Sequence, residues 1–342
     1  MKKHLVIAGA AMTLASTGAL AQGGGMSSPA CQPGSTIGGF PDQTKAAQDA
    51  CQQAYDLYQF MSPQLGLALA GGNATIGQGG VLGGLGHFSI GIRGNVFNGS
   101  LPQVDQFSQS INGARQSNLP TQDQILGLPT ADAAVGLFKG IPLGLTNVGG
   151  LDLLASATYV PKVDQDDFSI SPDRSLQLGW GARVGLLSES LVVPGVSVTW
   201  IQRDLPTTTM QGSASDATLS IKNLSVKTTA WRVVASKSLV LFGVAAGVGQ
   251  DSYDQSAEIS ATITDPACAT SGGSCTSAIP NTSQKLTRTN AFVDLSLNLP
   301  IFKLVAEVGQ ASGGKVDTYN SFSGTRADRA QTYGSLGFRL SW

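Results

Sequence analysis

The sequence predicts an all-β chain folded as an antiparallel transmembrane β-barrel of about twelve strands with a short N-terminal helical segment. Three observations predict it. Only 13% of the 342 residues are charged, against roughly 25% in an ordinary soluble domain. Hydrophobic residues make up 42% of the chain, yet only residues 5–21 approach the run of about 20 apolar residues that a membrane helix needs. From Gln64 onward, segment after segment alternates apolar and polar residues with period two, the signature of strands with one clean face.

The first 21 residues read as a leader. Lys2, Lys3 and His4 are a basic start, Leu5 to Leu20 an apolar core, and Ala19-Leu20-Ala21 a small-x-small cleavage site before Gln22. Export follows, and loss of Lys2 and Lys3 takes the formal charge from −1 to −3, which leaves no basic field for nucleic acid. Export also permits disulfides. Cys31, Cys51, Cys268 and Cys275 allow three connectivities, and short loops favour the local one, Cys31 with Cys51 and Cys268 with Cys275. Zinc would want Cys-x2-Cys spacing or histidines. The mature chain has one histidine, His87, so no metal and no cofactor is expected.

Residues 22–63 form the second unit, a disulfide-containing plug or hatch at the periplasmic mouth. Asp42 can cap a helix running to about Phe60, with the small-residue stripe Ala47, Cys51, Ala54 and Tyr58, and Pro63 ends it. Residues 64–342 form the barrel. In Leu151 to Tyr159, Leu176 to Leu186, Phe88 to Val96, Val240 to Val248, Ala291 to Leu297 and Phe302 to Val308, every second residue is apolar. Inward glycines at 243, 247 and 249 admit the helix or leave room for substrate. Connections alternate short and long: 236–239, 298–301 and 187–192 are short, whereas 99–130, 161–173, 204–216, 252–284 and 311–328 are long and polar. Short periplasmic turns with long external loops are how outer-membrane barrels are built, which places the first cysteine pair in the periplasm and the second outside.

Arg93, Asp152, Arg183, Arg203, Arg232, Asp294, Lys303, Glu307 and Arg339 all fall on the face opposite the apolar one. A charge facing lipid at the bilayer midplane costs about 2–4 kcal/mol, so these nine are read as lumen-lining. They either pair with one another or form an ion-selective lining, and six bases against three acids lean toward anions if the lumen is open.

The last segment carries the most specific pattern, with Leu336, Phe338, Leu340 and the terminal Trp342 on one face. It resembles the C-terminal signal of Gram-negative outer-membrane β-barrel proteins, whose terminal aromatic strand is read by the barrel-assembly machinery and pairs with the first strand. Residues 22–63 are also similar to the N-terminal hatch of outer-membrane fatty-acid and hydrocarbon transporters, although Gly72-Asn73-Ala74 lacks that family's Asn-Pro-Ala proline. The resemblance implies the cell outer membrane as location and its lipid as partner.

No phosphate-binding loop, dinucleotide fingerprint or Gly-x-Ser-x-Gly elbow occurs, and no enzyme is expected. His87-Phe88-Ser89 looks slightly like the His-x-Ser of outer-membrane lipid A deacylases, where histidine would activate serine; a polar pair facing the lumen is the plainer reading. Three functions are carried forward: a passive channel or transporter for small, hydrophobic included, solutes; a closed structural or surface-display barrel; and, remotely, a lipid-modifying hydrolase.

Overall fold

The computed structural model describes residues 30–31, 41–165, 168–214, 216–264 and 273–342. The leader, most of residues 22–40 and Cys268 lie outside the described residues. Ten strands form the wall: β1 (Phe88–Pro102), β2 (Thr121–Phe138), β3 (Gly150–Tyr159), β4 (Leu176–Leu187), β5 (Gly195–Asp204), β6 (Ala217–Ser238), β7 (Phe242–Thr264), β8 (Ser274–Asn298), β9 (Lys303–Ala311) and β10 (Gln331–Ser341). Each pairs antiparallel with the next, and β10 returns to β1 with Ile90 opposite Leu340 and Phe97 opposite Tyr333. The sheet therefore closes. At the seam Phe88 and Trp342 exchange both backbone hydrogen bonds at 3.0 Å and stack their rings with centroids 4.8 Å apart.

The ring of described strands numbers ten, not about twelve, because residues 64–87 supply no wall strand. They complete a helix and then run inside the barrel. The helix, α1 (Pro41–Ala70), continues through Pro63 instead of stopping before it. A proline inside a helix costs about 3 kcal/mol, but nearly every residue from Ala50 to Ala70 is buried against the wall, and that packing overrides the local preference. Gln64, next to the proline, is fixed by Ser100: its Oε1 accepts the Ser100 N–H at 2.8 Å and its Nε2 donates to the Ser100 carbonyl at 3.0 Å.

The strands differ in length because only part of the wall meets lipid. On β7 the residues Phe242, Val244 and Val248 point outward and are exposed, while Gly243, Ala245, Gly247 and Gly249 are buried. Above Gln250 the odd-numbered residues still point inward, but the apolar side chains change parity and move to that face: Ala257, Ile259, Ala261 and Ile263 are buried, with Asp254 and Glu258 outside. At about 3.4 Å per residue the 23 residues of β7 span roughly 80 Å, far beyond the roughly 30 Å hydrocarbon core. Residues 252–264 and 274–284, expected in a long loop, are the upper parts of β7 and β8. Three short strands, Val163–Gln165, Phe168–Pro172 and Thr208–Ala214, widen this upper wall beside β6.

Helix α1 starts in that upper sector. Ala46, Ala47, Ala50, Ala54, Leu57 and Phe60 pack with Leu219, Ile221, Ile259 and Phe322 in one core, and Phe60 stacks on Phe322 at 4.0 Å. The Cys31–Cys51 disulfide belongs to the same core, with Cys275 at its edge. Cys275 is disulfide-bonded. The first cysteine pair thus sits at the long-loop end, beside Cys275, and not at the short-turn end where the loop rule had placed it. The cause is the direction of α1, which enters at the long loops and leads down toward β1.

The outward face makes a direct test. Leu336 lies at mid-height of the apolar band, opposite Ala306 in β9, and is 62% exposed. Leu336→Arg is expected to lose about 2–4 kcal/mol and to reduce the heat-modifiable, folded fraction in outer-membrane extracts, whereas Thr332→Arg, above the band on the same face, should fold normally.

Candidate functional site

The candidate site is the barrel interior where the wall grips the chain that runs through it. A helix ends with four backbone carbonyls that lack intrahelical partners and carries about half a negative charge there. The last turn of α1 contains no basic residue. The wall provides the cations instead. Arg232 donates from Nη2 to the Ala70 carbonyl at 3.0 Å and from Nε to that of Gly72 at 3.3 Å. Arg203 reaches the Leu69 carbonyl from Nη1 at 3.5 Å, Arg93 that of Asn73 at 2.5 Å, and Arg339 that of Ile76 at 2.8 Å.

The acids take the complementary groups of the same segment. Glu307 accepts the Asn73 N–H at 2.7 Å, and Asp294 accepts both the Asn73 side-chain amide and the Gly77 N–H at 2.8 Å. Asp152 accepts the Leu82 N–H at 3.1 Å. Gly72 has φ +82°, and a Cβ there would collide with the Glu307 carboxylate, so only glycine brings the chain this close to the wall.

Ion pairs fix the charges laterally. Arg183 is bound to Asp152 through Nε at 2.9 Å and Nη2 at 2.7 Å, Arg93 and Arg203 share Asp132 at 3.0 and 3.1 Å, and Arg232 meets Asp251 at 2.5 Å. Of the nine residues singled out from the sequence, eight are buried and bound in this way to the plug, to one another or to further acids. Lys303 is the ninth, half-buried at the short-turn mouth. Asp132, Asp251 and Arg288, missed in the sequence, bring the count to seven bases against five acids, and Arg288 and Arg339 turn to backbone carbonyls. Asp132 lies in the alanine-rich stretch Thr130 to Ala134, where alternation is weak; Asp251 lies where the apolar parity of β7 changes. The inward glycines of β7 receive groups of the wall, not the helix. A Cβ at Gly247 would meet the Phe292 ring and one at Gly249 the Trp231 carbonyl of the neighbouring strand, with the Arg232 chain beside it, while α1 makes its own close approach at Gly66, over the Tyr253 ring.

Two further carboxylates, unremarked in the sequence, tie α1 to the long loops. Asp49 accepts backbone N–H groups of Ser110 and Arg115 at 2.7 and 2.9 Å. Asp56, two turns on along the same face, accepts those of Tyr319 and Asn320 at 3.0 and 2.9 Å, with the Asn320 and Gln52 amides added at 2.7 and 3.2 Å. Burial pushes the Asp56 carboxyl up to about 6, the four donors pulling it part of the way back; Asp49 is raised by burial as well.

His87 is exposed at the short-turn mouth and Ser89 is buried on β1; among the described residues no hydrogen bond joins them. Nor do the described residues contain a group of histidine, cysteine and acidic side chains that could hold a metal. A cavity of about 260 Å³ lies at this mouth.

No protein-family model matches the chain, and no curated protein sequence does. Among solved structures it is similar to the transport unit of the autotransporter AIDA-I from Escherichia coli, at 7% identity over 86% of this chain and 99% of that one, with a TM-score of 0.28. It is similar also to OmpT, an outer membrane protein of Vibrio cholerae (9%, 75% and 96%, TM-score 0.20), and to the CymD monoaromatic hydrocarbon channel (10%, 75% and 89%, TM-score 0.23). These neighbours are outer-membrane β-barrel proteins. At such identities and TM-scores the functional reading rests on this chain's own geometry.

Two measurements check the grip. Arg232→Met leaves Asp251 buried without its cation and frees two carbonyls, so unfolding in detergent should shift by about 3–5 kcal/mol, and Asp251→Asn in the same chain should restore part of it. Asp56 predicts a pH dependence. Its folded value lies above the unfolded one near 3.8, so the folded state binds the extra proton and its stabilisation is lost as pH rises through about 6. Acidification from pH 6 to pH 4 should therefore strengthen the docking of α1 to residues 311–331, read by hydrogen exchange, and Asp56→Asn should flatten that window.

Proposed function

We propose that this protein is an exported outer-membrane barrel that acts as a closed anchor, holding its own N-terminal segment across the membrane with the Cys31–Cys51 disulfide at the outer face. One observation carries the reading: the backbone from Leu69 to Leu82 takes up the wall's inward charges, so few are left to line a water-filled path. The orientation is inferred from the short turns, which lie at the end opposite the long loops and mark the periplasmic side of such barrels. At about 1.5 Å per residue the 30 residues of α1 span some 45 Å, enough to reach from mid-membrane into the outer sector.

A second reading is the passive passage of small solutes. It is favoured by the cavity at the short-turn mouth, which reaches inward to Gly77 and Arg339, and it requires the glycine-rich chain above the cavity to withdraw. The two readings separate in planar bilayers. An anchor of this kind gives no single-channel steps as the full chain, while Gly66→Leu, which drives a side chain into the Tyr253 ring, is expected to unseat α1 and produce them. Steady conductance by the unaltered chain would assign it to transport. An epitope placed beside Ala30 should bind antibody on intact cells, and failure to do so in a correctly assembled barrel would reverse the orientation.

A further inference from the structure

Most charges in the lumen are fully engaged; at the periplasmic mouth Lys303 has no partner among the described residues and Arg339 is only partly satisfied. Lys303 and Arg339 are direct cross-strand neighbours on β9 and β10, and both point inward. Like charges placed opposite one another destabilise a sheet unless something lies between them. Arg339 is only 3% exposed. It spends Nη1 on the Ile76 carbonyl, but its Nε, also buried, has no acceptor. Lys303 makes no hydrogen bond or ion pair among the described residues.

The nearby acids form no ion pair with either cation among the described residues. One Asp294 oxygen takes Asn73 and Gly77 while the other has no hydrogen bond, and Glu189, which lines the cavity at its rim, takes the Ser238 N–H and the Ser236 hydroxyl. Lys237, also on the rim, directs its ammonium to the carbonyls of Ser190, Leu191 and Val193. Lys303 and Arg339 both line the cavity of about 260 Å³, together with Ser296 and His87. That volume is below the roughly 300–1,000 Å³ of sites that engulf drug-sized ligands, and at about 30 Å³ per water it holds a tetrahedral anion with several waters.

We propose that this mouth is a binding site for a small phosphate oxyanion, held between the Lys303 ammonium and the Arg339 guanidinium. Charge-assisted hydrogen bonds from an arginine and a lysine are the usual means of holding phosphate. The phosphate has two sources: inorganic phosphate free in the periplasm, or the headgroup of a phospholipid. The second is close at hand, because the turn tips around the mouth are apolar and exposed, Leu191 and Val240 among them, and continue the lipid-facing band to headgroup level.

The test uses the full chain in a non-ionic detergent. Its unfolding midpoint is followed against inorganic phosphate, and separately against a short-chain phosphatidylglycerol, each with chloride at matched ionic strength as control. Stabilisation beyond chloride is expected, with Lys303→Gln weakening the apparent affinity by about tenfold, or about 1.4 kcal/mol, and Lys303→Arg retaining most of it. Lys303 makes no hydrogen bond or ion pair with the plug among the described residues, so this variant should assemble; heat-modifiable migration verifies that. A response to inorganic phosphate assigns the site to a free anion, and a response to the lipid alone assigns it to a headgroup. No stabilisation by either probe beyond chloride, or an unchanged affinity in Lys303→Gln, overturns the proposal.

Discussion

The structure depends on one exchange: the wall's arginines cap the carbonyls at the end of α1, and the plug's backbone in turn gives those arginines acceptors inside a membrane. Neither side is stable alone. A buried cation without a partner costs several kcal/mol, and a helix terminus buried without acceptors or donors is comparably unfavourable. The pairing explains why the chain just after Ala70 is so rich in glycine. Side chains there would hold the backbone away from the groups it must touch, as the Glu307 carboxylate under Gly72 makes plain.

The same logic extends outward by different means. Above the membrane the interior is apolar, built from alanine, leucine and isoleucine around the upper half of α1, and the helix uses Asp49 and Asp56 to collect amides from two separate loops. The long connections are thereby fastened to the plug as well as to the strands they join. Residues 118–119 and 321–322 add a short parallel pairing between those two loops.

The lipid-facing pattern was legible in the sequence because hydrocarbon tolerates no exceptions: Phe88, Ile90 and Ile92, or Leu336 and Phe338, alternate without a break. The part of the wall outside the membrane was not. There the apolar residues move from one parity to the other, as between Val248 and Ala257 on β7, and a reading tuned to one phase takes the inverted stretch for a polar loop. Pro63 misled for a different reason, since local helix preference says nothing of a helix enclosed on all sides. The charged wall positions were visible as a face; their partners were not, because Arg232 finds Ala70 more than 160 residues away in the chain, and the acceptors are backbone carbonyls that carry no residue signature at all.

The direction of α1 also constrains how the molecule can be made. The chain enters the ring at the long-loop end, leaves it at the short-turn end and only then begins β1, while the ring is sealed by hydrogen bonds between Phe88 and Trp342. The barrel is a hoop around its own thread. Once that hoop has shut, the thread can reach its place only by drawing α1 through the pore together with the loop tied off by Cys31 and Cys51. Wrapping the strands around a chain already in position, with β10 meeting β1 last, avoids that passage, and it makes the order of assembly a property of the topology.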